Sequence, residues 1–442
     1  MFASGRTLKK YNVVFDNNIG SVTQKIYVFF MKILFDFLTL HYKNGASEYT
    51  RRIFYALLER IETEILKDVW IYCLYDSKGL PSYEEFSPNK FHHNQVRFVD
   101  YQFGSAVINR LDFDIFFLAC AHSGVSHPDI SQYICRSIIV VHDCVWEEIY
   151  NNDIGIYLSL NGNDIFRYRE HGPFGKKIYW SIKSPTIRFC RWLLHCREHG
   201  VLENGFVTLK PAMDLFNKRI DNELVTVSDY SKASLLYNFH IPEDRVNVRY
   251  SPERIYKKDM ASDSKDISDG KLNHLIISGI KYYLIVNAGR ENKNAIKALR
   301  AFRSYSSTRK DFYIVTVGFK DELFSNHIDL KFLNDGDLQE AYKNCYALLY
   351  PSVFEGFGYP PLEAMFFGKP ILSSNVCSIP EVLGDAPIYF SPFYESAIFN
   401  ALLKLDEHNY EHYSQMSSCQ YKKVKERQQN DLDNLVAKIL KL

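Results

Sequence analysis

The side chains able to do chemistry gather in a few short stretches. In "PSVFEGFGYPPLEAMFFGKP" (351–370), Glu355 and Glu363 stand eight positions apart, with Gly356, Phe357, Gly358 and two prolines between them. Pro360 and Pro361 suit the first turn of a helix, where a missing N–H removes no hydrogen bond, and Gly368 suits its end. Gly356 and Gly358 let the backbone approach a ligand and turn its N–H groups inward. The helix N-terminus that follows, with free donors and partial positive charge, makes an anion site. Carboxylates beside an anion site are best used on hydroxyls, so the pattern fits a molecule carrying both phosphate and sugar. A second reading stays open, in which Glu363 in the first turn caps the helix and Glu355 is simply exposed.

Two further stretches supply cations and a histidine. In "IVNAGRENKNAIKALRAF" (285–302), Gly289 precedes Arg290, and Lys293 leaves the same strand end. Two cations there neutralise a diphosphate leaving group, unless both are merely solvated on a loop. "SIIVVHDCVW" (137–146) ends an apolar run in His142 and Asp143. In "HYKNGASEYTRRI" (41–53), Gly45 serves a tight turn ahead of another helix N-terminus. Ser228, in "TVSDYSKASL" (226–235), is equally suited to face a cleft or to cap a helix.

These residues need elements to hold them. Apolar runs at 32–38, 69–75, 95–101, 113–120, 137–143, 223–229 and 245–253 lack in-out alternation and are separated by helical stretches. One such stretch is 47–61, with Tyr49, Ile53, Leu57 and Ile61 at helical spacing. That pattern predicts a parallel sheet covered on both faces. Residues 254–279 begin polar and lack periodicity, as a linker does. A second series of runs follows at 281–289, 311–318, 328–333, 346–352 and 370–375. The expectation is an α/β protein of two Rossmann-like domains, 1–265 and 266–442, with residues 1–30 as a loosely ordered extension. In open α/β sheets ligands bind at the carboxyl ends of the strands, and every stretch above sits at one.

The residues 351–386, "PSVFEGFGYPPLEAMFFGKPILSSNVCSIPEVLGDA", resemble the donor-site signature of the retaining glycosyltransferases of family 4, which have the GT-B fold. The likeness continues in order through most of the chain. It implies that Glu355 lies beside a donor sugar and that Glu363 bonds the ribose hydroxyls of the nucleotide. By the same resemblance the amides of Gly356, Phe357 and Gly358 hold sugar and phosphate oxygens. Gly289, Arg290 and Lys293 are similar to the family's Gly-Arg and Lys-Asn element, although the interval between the two cations is shorter here. His142 and Asp143 resemble the family's His-Asp at the cleft, with His142 against the donor sugar. Gly45-Ala46 stands where the family usually has two glycines, and Ser228 in its Ser-x-x-Ser-Lys step. The resemblance implies an acceptor-side domain first and a donor domain second. It also implies a nucleoside-diphosphate-sugar donor, a glycan or lipid-linked saccharide acceptor and no cofactor; no Asp-x-Asp motif sits at a strand end, so no divalent metal is expected. A nucleotide-sugar epimerase of the same fold, or a non-catalytic nucleotide- or glycan-binding protein, would share the cleft.

Composition narrows the rest. The 442 residues carry Lys+Arg 53 against Asp+Glu 52, a net charge of +1, and 46% hydrophobic residues. That describes a globular chain with no bias toward nucleic acid. Nine cysteines without a Cys-x-x-Cys pair point to a reducing compartment rather than a disulfide framework. The most apolar stretch, 26–40, is broken by Lys32 and Asp36, so a cytoplasmic protein is expected. Within an insertion at about 160–215, residues 176–197 hold six Lys/Arg, two Trp and no acid. This composition suits an acceptor site or peripheral contact with the inner face of an anionic membrane. It suits equally a basic helix packed on its own domain.

Overall fold

Strands that are apolar on both faces require helices on both sides, and the computed structural model meets that requirement twice. It describes residues 7–14, 23–41, 44–79, 84–145, 147–148, 209–254 and 267–441. The first sheet holds β1 (Thr7–Val14), β2 (Thr23–Asp36), β3 (Val69–Tyr75), β4 (Val96–Asp100), β5 (Ile115–Leu118), β6 (Arg136–Val141), β7 (Glu223–Thr226) and β8 (Val246–Val248). Its parallel part runs β4-β3-β2-β5-β6-β7-β8, with β1 joined to β2 as an antiparallel pair. The second holds β9 (Lys281–Ile285), β10 (Phe312–Thr316), β11 (His327–Asp329), β12 (Ala347–Tyr350), β13 (Ile371–Ser374) and β14 (Ile388–Phe390). Its order is β11-β10-β9-β12-β13-β14, parallel throughout. β5, β12 and β13 are buried at every residue, which explains their unbroken apolar sequences.

Each sheet reverses its strand order once, between β2 and β5 and between β9 and β12. Loops leaving neighbouring strands at such a reversal diverge and open a crevice. The loop after β9 carries Arg290 and Lys293, and the loop after β12 carries Glu355. Topology alone therefore brings two distant stretches of sequence to one place.

Two expectations need correction. Residues 7–14 and 23–30 are not loose but pair as a ribbon continuous with β2. The stretch read as a linker holds a helix, Gly270–Ile277, which buries Leu272 and Leu275 and is capped by the Asp269 carboxylate. The basic stretch 176–197 lies outside the described residues. Among those described, no helix is long and apolar enough to cross a membrane.

The two halves share core. One apolar cluster runs from Tyr49 and Ile53 of the first half through Tyr350, Phe357 and Leu362 of the second. It also takes in Leu432 and Leu435 of the terminal Tyr410–Leu440 helix. That helix returns to the first half, where Lys438 pairs with Glu223 and Asp431 Oδ2 accepts from the Tyr250 amide at 2.9 Å. Glu381, from the second half, accepts from the amides of Asp229 and Tyr230 at 2.9 and 3.1 Å. An acid of one half thus complements the N-terminal dipole of the Asp229–Phe239 helix in the other.

Candidate functional site

Pro351 follows β12, and three serines set the shape of the loop that runs on to the Tyr359–Phe366 helix. Ser228 Oγ, from the first half, donates to the Gly356 carbonyl at 2.7 Å, and Ser231 Oγ, whose proton is shared with the His142 carbonyl, lies 3.2 Å from it. Ser378 Oγ donates to the Glu355 carbonyl at 2.9 Å and lies 3.5 Å from that of Phe357. In a trans peptide the next N–H points away from the carbonyl. With these carbonyls drawn aside, the amides of Gly356, Phe357 and Gly358 turn the other way and donate to no acceptor among the described residues. Gly358, at φ +101°, takes a conformation open to glycine. Successive free amides at a helix start form a concavity for an anion.

Glu355 and Lys293 meet at this loop. Lys293 Nζ donates to Glu355 Oε1 at 2.5 Å and lies 3.1 Å from the Tyr350 hydroxyl. The two side chains are only 6% and 12% exposed, so their pairing is shielded from water. Burial holds the Lys293 ammonium below its ordinary pKa, with the Arg290 charge acting the same way and Glu355 opposing both. Asn292 and Asn294 fix the loop that carries it. Asn292 bonds the Val353 amide and Phe354 carbonyl at 2.8 and 3.1 Å, and buried Asn294 donates to Pro392 O at 2.8 Å. Arg290 itself is exposed. Gly289 is dictated by packing, since a Cβ there would lie 2.2 Å from the Gly318 carbonyl oxygen.

Glu363 differs from expectation in one respect. The helix begins at Tyr359, so Glu363 is its fifth residue, one turn in, and does not cap it. It is 6% exposed and takes a hydrogen bond on Oε1 from Arg254 Nη1 at 2.9 Å. Arg254 also lies 3.3 Å from Asp335 and 3.9 Å from Glu48, an acid on the first-half Gly45–Thr63 helix. The sequence reading passed over Arg254, because "SPERIYKK" looks like the start of a polar linker.

The first half faces the loop with His142. Its Nε2 lies 3.0 Å from the Ala119 carbonyl, an acceptor, so Nε2 carries the proton and Nδ1 is left as an acceptor. Its ring packs edge-on to Tyr49, 4.9 Å between centroids. Asp143 Oδ1 accepts from the Val145 amide at 3.1 Å, a turn-capping role. Gly45 opens a helix whose capping box is built by Asn44 and Ser47, and a Cβ on it would only touch the Tyr359 ring at 3.5 Å. Ser228 fulfils both of its readings, capping the next helix through the Ser231 amide while reaching Gly356. Ser231 also holds the His142 carbonyl at 2.9 Å.

Burial pushes the His142 pKa from 6.5 down to about 4. A histidine depressed on folding takes up protons in the unfolded chain first. Stability is then present above pH 6.5 and is lost as pH falls through about 4. Subtracting the unfolding free energies of His142→Gln from those of the parent should therefore give a difference that grows with pH across this window. A flat difference curve would show that His142 is not buried neutral.

Residues 273–423 match the family described as Glycosyl transferases group 1. The chain is 28% identical over 184 residues to O-antigen chain mannosyltransferase B of Escherichia coli, covering 38% of this chain and 47% of that protein. It is 26% identical over 263 residues to O-antigen chain mannosyltransferase RfbU of Salmonella typhimurium, covering 52% and 69%. The chain thus spans about half the length of the first relative. Among solved structures, Anabaena HepE in complex with UDP and glucose superposes with a TM-score of 0.58 at 14% identity, over 92% of this chain and all of the other. That likeness concerns the fold, which is GT-B.

Proposed function

We propose that this chain, whose residues 273–423 match the family described as Glycosyl transferases group 1, moves a sugar from a nucleoside-diphosphate-sugar donor to a glycan or lipid-linked saccharide, with retention at the anomeric carbon. The reaction breaks the bond between the anomeric carbon and the diphosphate oxygen and forms one to the acceptor hydroxyl. The acceptor proton leaves on the departing phosphate. Negative charge grows on the diphosphate, so preorganised donors and cations are the main catalytic device. The observation that carries this reading is the row of three free amides at Gly356, Phe357 and Gly358, beside the buried Lys293 and Glu355. The amides and Lys293 take the diphosphate, Arg290 adds charge from the rim, and Glu355 addresses the sugar. The Nδ1 of neutral His142 accepts a sugar hydroxyl from the opposite wall, and Glu363 takes the ribose.

The relatives' names support a role in assembling cell-surface polysaccharide and make mannose-bearing donors the first to try. The proposal predicts release of nucleoside diphosphate from at least one of a panel of nucleotide sugars when a saccharide acceptor is present. An epimerase would instead change the donor without releasing diphosphate, and a binding protein would do neither. Because Lys293 and Arg290 already supply positive charge, turnover should survive EDTA. Complete loss on chelation, restored by magnesium or manganese, would contradict the assignment of those two residues.

A further inference from the structure

A short strap packs between the loop at Phe357 and Tyr359 and the terminal helix. After β8 the chain passes from the first half to the second through residues 250–254, and each residue of it is tied down. The Tyr250 amide bonds Asp431 at 2.9 Å, and the Ser251 carbonyl accepts from Gln428 at 2.6 Å. The Pro252 carbonyl accepts from the Tyr359 hydroxyl at 3.1 Å, and the Glu253 carboxylate holds both Tyr421 and Lys425. The last residue is Arg254. So anchored, its guanidinium faces Glu363, Asp335 and Glu48, two acids of the second half and one of the first.

The chemistry of that arrangement is specific. Glu363 is nearly buried, and Arg254 engages only its Oε1 among the described residues. The planar guanidinium spans Glu363 through Nη1 and Asp335 through Nη2, so it holds one oxygen of Glu363 and leaves the other for a hydroxyl. Glu48 is also held by Arg51, whose Nη1 lies 3.1 Å from both of its oxygens, so two cations serve the three acids and keep this end of the site from repelling a diphosphate. We propose that Arg254 is a positioning residue for the nucleotide: it orients Glu363 toward the ribose hydroxyls and, through Glu48, makes that orientation depend on the first half of the molecule. The inference rests on the reading of Glu363 as a ribose ligand.

The test compares UDP with 2′-deoxy-UDP, and GDP with 2′-deoxy-GDP, by calorimetric titration of the full chain. Losing a hydroxyl bonded to a carboxylate weakens binding by about tenfold. The parent should therefore discriminate by about that factor for whichever nucleotide it binds. Arg254→Gln should bind the natural nucleotide more weakly and lose the discrimination, the ratio collapsing toward one. A merely structural role would weaken both nucleotides alike and leave the ratio intact. Arg254→Lys, which keeps the charge and loses the fork, should give an intermediate ratio and stands in if Arg254→Gln does not fold. Full discrimination in both variants would overturn the role of Arg254 alone. A parent that binds neither UDP nor GDP, or binds without discriminating, would overturn the reading of the site together with the inference.

Discussion

Replacing Lys293 by methionine is expected to lower turnover by ~10²–10³, the usual loss when one preorganised electrostatic contact is removed. Methionine keeps the volume of the side chain and deletes its charge. Two things then change. The departing diphosphate loses its buried cation, and Glu355, only 12% exposed, loses its partner at 2.5 Å. Breaking one side of a buried pair typically costs ~3–5 kcal/mol, so the unfolding midpoint should fall as well. Adding Glu355→Gln removes the stranded charge and should recover much of the stability without recovering turnover. That dissociation separates the two roles of the pair. Near-normal turnover in Lys293→Met would show that the diphosphate is neutralised elsewhere.

Gly356→Ala should cost turnover without unfolding the protein. A Cβ at this position would lie 2.3 Å from the His142 carbonyl oxygen and 3.0 Å from Asp143 Cβ. Neither contact can be absorbed by a flexible side chain, so the loop must withdraw from the first half. Withdrawal strains the Ser228 and Ser231 bonds to the Gly356 carbonyl, and with them the placement of the three amides. A misplacement of about 1 Å in such a site can lower the rate ~10²-fold. Gly289→Ala makes a useful contrast. Its Cβ would meet Gly318 inside the second sheet's own loops, 2.2 Å away. That variant should lower the unfolding midpoint, whereas Gly356→Ala should chiefly lower turnover. If Gly356→Ala turns over like the parent, the close approach of the two halves is not needed for catalysis.

The parts of this account that were legible in the sequence are local ones. Apolar runs without alternation gave the parallel strands, and Pro360, Pro361 and Gly368 gave the helix behind the loop. The spacing of Glu355 and Glu363 led to the proposal that both address one donor. What stayed hidden depends on where distant segments meet. Nothing near Lys293 in the chain announces Glu355, 62 positions away, because their meeting follows from the pairing of β9 with β12. Arg254 was invisible for the same reason, lying 109 positions from Glu363 in a polar stretch. The purpose of Gly356 was misjudged in part. The sequence offered close approach to a ligand, and the structure adds close approach to the His142 carbonyl. Helix periodicity failed at Gly270–Ile277, where Leu272 and Leu275 are buried and Ile276 is partly buried, while the adjoining Ile277 faces solvent and blurs the pattern.

The central claim is that Glu355 and Glu363 serve opposite ends of one donor. Ribose hydroxyls are held alike in ground and transition states, so losing that contact weakens binding more than it slows chemistry. Charge develops near the sugar only during reaction, so a contact there acts on turnover. The decisive measurement is nucleoside diphosphate affinity and turnover, side by side, for Glu355→Gln and Glu363→Gln. Glu363→Gln should lose mainly affinity, and Glu355→Gln should keep affinity while turnover falls ~10²–10³. The reverse pattern, with affinity lost in Glu355→Gln and kept in Glu363→Gln, would contradict the account.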